Sequence, residues 1–138
     1  MFRILAAYGG AAAAMIVLDA IWLSTMLPVY RQHIGELLLD GVRMPPAAAF
    51  YYVYVAGIVG LAILPALRGG GGWPQAALNG ALLGLVAYGT YDLTNQATLK
   101  TWPLAMTLID MAWGVALTAV AAAAGAMVAL ALTGDTLG

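Results

Sequence analysis

Residues 75–95, QAALNGALLGLVAYGTYDLTN, read as a membrane-crossing helix with a polar end. Apolar residues and glycines fill its first part, and Tyr88, Tyr91, Asp92 and Asn95 close it. At 1.5 Å per residue such a run spans a hydrocarbon core of about 30 Å. No Lys or Arg lies within it to neutralise Asp92. Three further apolar runs, at about 4–27, 47–67 and 103–132, are set off by RMPP (43–46), RGGGGWP (68–74) and KTWP (100–103). These Gly and Pro clusters are turn punctuation, and Pro103 suits a first helical turn. The expected fold is an all-α integral membrane protein, residues 1–138 forming one domain of four transmembrane helices. Short connections force antiparallel neighbours, giving an up-and-down bundle, and an even number of crossings puts both termini on the same side.

Composition demands lipid as the solvent. Of 138 residues, 64% are hydrophobic and 8% charged, with mean hydropathy +0.93. A soluble domain of this size carries roughly a quarter charged residues. The net charge of −1 gives nucleic acid no purchase, and the absence of Cys excludes disulfides and thiolate metal sites. The N-terminal run continues through Asp19 and Trp22 to Leu27, longer than the roughly 7–15 residues of a signal h-region, so a crossing helix is expected there instead. The connection PVYRQHIGELLLDGVRMPP (28–46) carries most of the charge, and Leu37, Leu38 and Leu39 suit a short interfacial helix. Arg31, Arg43 and Lys100 on its side outnumber Arg3 and Arg68 on the other, which leans this connection towards the cytoplasm.

Charges are costly in lipid, roughly 2.5–3.5 kcal/mol each on the gentlest insertion scale. Yet Asp19, Asp92 and Asp110 all lie in apolar runs. In the expected arrangement all three fall in the leaflet next to the long connection, beside Tyr51, Tyr52 and Tyr54. Gly80, Gly84, Tyr88, Tyr91, Asp92 and Asn95 form one stripe at helical spacing, its glycines open to close approach by a neighbour. LDAIW (18–22) and IDMAW (109–113) repeat a D-x-x-W spacing, pairing Asp19 with Trp22 and Asp110 with Trp113. The candidate catalytic groups are therefore Asp19, Asp92 and Asp110. The candidate ligand-binding groups are Trp22, Tyr51, Tyr54, Tyr88, Tyr91, Asn95 and Trp113. The plain alternative is that the carboxylates lock helices together, at about 0.6 kcal/mol per hydrogen bond in membranes.

Other signals are bland. His33 reads as an interfacial residue, Trp73 and Trp102 as interface anchors, and the methionines as gap-fillers. Nothing resembles a metal-binding His/Glu motif, and RGGGG lacks the Lys-Ser/Thr end of a phosphate loop, so no metal and no cofactor are expected.

LDAIWL, YYVYVAG, LPAL, GALLGLVAYGTYDLTNQATLKTWPL and IDMAWG together resemble a bacterial family of small predicted membrane proteins, domain of unknown function 2177. The resemblance covers nearly the whole chain. Matching positions are Asp19, Trp22, Tyr51, Tyr54, Tyr88, Tyr91, Asp92, Asn95, Asp110, Trp113 and Gly114, whereas the Ala-rich stretch 119–126 looks generic. It implies a four-helix protein of the bacterial inner membrane and carries over no activity. Members look to be encoded beside lipid-related enzymes in some bacteria, which implies lipid chemistry.

Three functions compete. A pocket open to one leaflet would bind or modify a lipid or small amphipathic ligand; as an enzyme, it would use one neutral and one ionised Asp as an acid–base pair. A proton- or cation-coupled transporter or channel subunit would titrate the same groups. An accessory structural subunit would dock a partner membrane protein. Expected partners are membrane lipids and a second copy or a partner membrane protein, and the expected location is the inner (cytoplasmic) membrane, crossed several times.

Overall fold

The computed structural model describes residues 1–134, which are helical between short turns and contain no strand. We number the helices α1 (Phe2–Ile34), α2 (Met44–Arg68), α3 (Gly72–Thr98) and α4 (Leu104–Thr133). Helices α1, α2 and α4 are each long and apolar enough to cross a membrane. Helix α3 is not among them, although its 27 residues reach about 40 Å. Four helices are present, and three meet the demands of length and apolarity. The physical reason lies in what α3 presents to its neighbours. Its glycines, Asn79 and Asp92 dilute the apolar character, and Gly80, Gly84 and Asp92 are buried inside the protein.

Helix α4 is the axis of the structure. It packs along both α1 and α3, and Leu117, Ala121, Ala122, Ala126 and Ala129 are shut off from the surface. The Ala-rich stretch that looked generic thus contributes Ala121, Ala122 and Ala126 to the core. Small side chains let helix backbones approach, which matters where burial of apolar surface gives no driving force over lipid. At Gly84 the approach is closest, since a Cβ there would collide with the carbonyl of Gly114. Contacts between α3 and α4 run in opposite chain directions: Gly80 lies against Thr118, Gly84 against Gly114, and Gln96 bonds to Thr107. Those between α1 and α4 do the same, with Gly10 against Val128 and Tyr30 against Asp110.

Two prolines, Pro28 and Pro65, lie beyond the first turn of their helices. Pro65 has no N–H to give and its ring crowds the carbonyl four residues back. Helix α2 answers by widening to a π-helix over Ile58–Ile63, and the side chain of Asn79 donates to the carbonyl of Ala62 at 3.1 Å. Pro28 does not end α1, which continues to Ile34 and then a 3-10 turn at Gly35–Leu37. The Ser24 and Thr25 hydroxyls bond to the carbonyls of Ile21 and Trp22 just before it. Much of the stretch read as a connection is therefore helix, and Leu37, Leu38 and Leu39 lie exposed at its end.

Candidate functional site

Asp19 is buried, and both of its oxygens are occupied. Oδ2 accepts a hydrogen bond from the Tyr51 hydroxyl at 2.9 Å, and Oδ1 accepts one from Trp113 Nε1 at 3.2 Å. The carboxylate thus ties α1 to α2 and α4 at once. Asp110, on α4, has a different donor: its Oδ1 accepts from the Tyr30 hydroxyl at 2.5 Å, and that hydroxyl accepts from Trp22 Nε1 at 2.9 Å. Between these two systems the indoles of Trp22 and Trp113 are stacked.

Asp92 is the outlier. It has no exposed surface, and neither carboxylate oxygen has a hydrogen-bond partner. A buried polar group without partners costs about 1–3 kcal/mol, and more if charged.

Tyr88 lies against α4 at Gly114. Its ring occupies the space that a side chain at Gly114 would need and meets Tyr54 edge-on at 6.4 Å. Tyr54 in turn shares a hydrogen bond of 2.8 Å with the buried Thr118 hydroxyl. On the outer side of Tyr54 and Tyr88 an apolar groove runs between α2 and α3. Its inner part, about 390 Å³, is lined by Phe50, Tyr54, Ala87, Tyr88 and Tyr91. An adjoining part of about 620 Å³ extends it towards Pro46 and Leu83.

The candidate residues therefore fall into three settings. Asp19, Tyr51, Trp113, Trp22 and Asp110 belong to one hydrogen-bonded and stacked assembly. Tyr54, Tyr88 and Tyr91 wall the groove, and Asn95 is half-buried one turn beyond Tyr91. Asp92, buried on α3 one turn after Tyr88, has no hydrogen-bond partner. Among the described residues no group of three or more His, Asp or Glu side chains is placed to hold one metal ion, so the aspartates do not form a single cluster.

Two tryptophan and tyrosine readings change. Trp102 is buried, not an anchor at the surface. Its Nε1 donates to Thr107 Oγ1 at 3.1 Å, that hydroxyl donates to Gln96 Oε1 at 2.9 Å, and Gln96 Nε2 donates back to the Trp102 carbonyl at 3.2 Å. Trp73 is 39% exposed. Tyr30 was missed, because it was placed in the connection. Eleven residues are close to three helical turns, so it shares a face with Asp19 once the helix is carried past Pro28.

Residues 4–127 match a family model described as predicted membrane protein (DUF2177). Searches of curated proteins and of solved structures find no match.

Proposed function

The chain belongs to that family of predicted membrane proteins, and from this we propose that it is a multi-pass protein of the bacterial inner membrane that binds a lipid or small amphipathic ligand within one leaflet. In this reading α3 is a fourth crossing, shielded by α2 and α4, and both termini face the same side. The apolar part of the ligand lies in the α2–α3 groove. Its head, cationic or rich in hydrogen-bond donors, reaches Asp92. Tyr88 and Tyr91 separate the two and turn aside on entry.

The observation that carries this is Asp92 itself. A carboxylate with both oxygens buried and unpaired contributes nothing to the bundle, and intramembrane ionisable groups of that kind are functional by default. Asp19 and Asp110 are less suited to meet a ligand, because their hydrogen bonds hold helices together. Mass spectrometry of species that co-purify with the protein tests the reading. A specific amphipathic species should accompany the native chain and be lost from Asp92→Asn. Retention of the same species at the same level in that variant would overturn it.

Proton-coupled transport is the second reading, favoured by one observation: Trp22 Nε1, the Tyr30 hydroxyl and the Asp110 carboxylate form a continuous hydrogen-bonded chain. Proton flux into liposomes that disappears in Asp92→Asn, with no co-purifying ligand, would select it.

A further inference from the structure

A second polar feature lies outside the aspartate assembly. Where α1 ends, its last turns and the connection to α2 enclose a cleft of about 540 Å³. Leu23, Leu27 and Arg31 line it from α1, at a spacing of four residues that puts them on one stripe. Arg43 closes it from the connection, Tyr30 forms part of its wall, and Asp40 stands at the same cleft. Among the described residues neither guanidinium is ion-paired, Asp40 included. Two positive side chains against one negative leave the cleft electropositive.

We propose that this cleft is a binding site for an anionic phospholipid, with Arg31 and Arg43 on the headgroup phosphate and Leu23 and Leu27 along the acyl chain. The guanidinium fork matches phosphate geometry, and its charge is fixed. From Leu23 to Arg31 the stripe runs about 12 Å, long enough to carry a chain from the interface into the leaflet. The leucines are open to it: Leu23 is 49% exposed and Leu27 40%. Charge complementarity therefore selects the lipid class, and the apolar stripe selects a lipid over a soluble phosphate ester. This site is separate from Asp92 and stands whether or not the groove holds a ligand. It does touch the aspartate assembly at one point, because the hydroxyl of Tyr30 is bonded to Asp110.

Native mass spectrometry on the full-length protein tests it, with the detergent-purified chain offered equal amounts of phosphatidylglycerol and phosphatidylcholine. The native protein should retain phosphatidylglycerol preferentially. The double variant Arg31→Gln/Arg43→Gln should lose that preference by roughly 10- to 30-fold, the worth of two basic side chains at an anionic surface. Arg31→Lys/Arg43→Lys should keep most of it, and Asp92→Asn all of it. Equal retention of the two lipids by the native chain, or unchanged preference in the Gln variant at native helical content, overturns the proposal. Displacement of the lipid by millimolar inorganic phosphate would also overturn it, since the acyl chain would then contribute nothing.

Discussion

Trp22 and Trp113 lie face to face between α1 and α4, ring centroids 4.2 Å apart and planes 4° from parallel. Each belongs to a D-x-x-W pair, and the pairs are interlocked. Trp113 donates to the aspartate of the other pair directly, and Trp22 reaches Asp110 through Tyr30. The stack therefore holds two carboxylates of opposite helices in fixed places.

Replacing Trp113 by Phe keeps an aromatic face but removes the donor to Asp19. We expect a loss of roughly 1–2 kcal/mol, combining a weakened stack with one membrane hydrogen bond. Trp22→Phe should cost a similar amount, and the double variant less than the sum, because both break one assembly. Unfolding in detergent followed by near-ultraviolet circular dichroism reads both effects. Strict additivity would mean that the two indoles act independently.

Asp19 and Asp92 should respond in opposite ways to the same change. Asp19→Leu strands the Tyr51 hydroxyl and the Trp113 N–H, at about 1–3 kcal/mol for buried donors left unpaired. Asp92→Leu removes a group with no partners and should leave stability unchanged or raise it. Equal destabilisation by the two, measured in the same detergent, would show that Asp92 has a structural partner after all.

Gly114→Ala places a Cβ in the Tyr88 ring, an overpacking worth about 1–3 kcal/mol. Adding Tyr88→Ala should restore part of that loss. Gly9→Ala, where a Cβ would meet nothing within 4 Å, should be neutral or mildly stabilising. Thermal midpoints of the four proteins decide the matter.

The crossing of α3 has a direct test, because the chain contains no native cysteine. Single cysteines at Gln75 and Thr101, both exposed near opposite ends of α3, should react with an impermeant thiol reagent from opposite faces of the membrane. Labelling of both from one face would reduce the crossings to the three apolar helices.

Part of this arrangement is legible in the sequence. Gly80, Gly84 and Tyr88 of α3 mark a face for close packing, and α4 occupies that face, whereas Tyr91 of the same expected stripe is exposed in the groove. The D-x-x-W spacing pairs Asp19 with Trp22 and Asp110 with Trp113, whereas the hydrogen bonds cross between the two pairs. Tyr30 was hidden because Pro28 is a legitimate stop signal, and only the neighbouring hydroxyls and tertiary packing show that the helix runs on. Trp102 beside Pro103 has the sequence signature of an interface, yet Thr107, itself bonded to Gln96, accepts from its N–H inside the protein. Which side chain meets that N–H depends on how the turn between α3 and α4 folds, and the spacing of residues does not show it.

By itself the sequence determined the solvent and the class of fold, since 64% hydrophobic residues in four punctuated runs leave no alternative to helices in lipid. It also singled out the three costly carboxylates, Asp19, Asp92 and Asp110, within apolar runs. The tertiary structure alone decided their fates: which helix became the axis, which two aspartates became bonds between helices, and which one was left without a partner. Depth along a helix follows from counting residues. Partnership depends on rotation about the helix axis and on side chains from distant parts of the chain, and only packing fixes those.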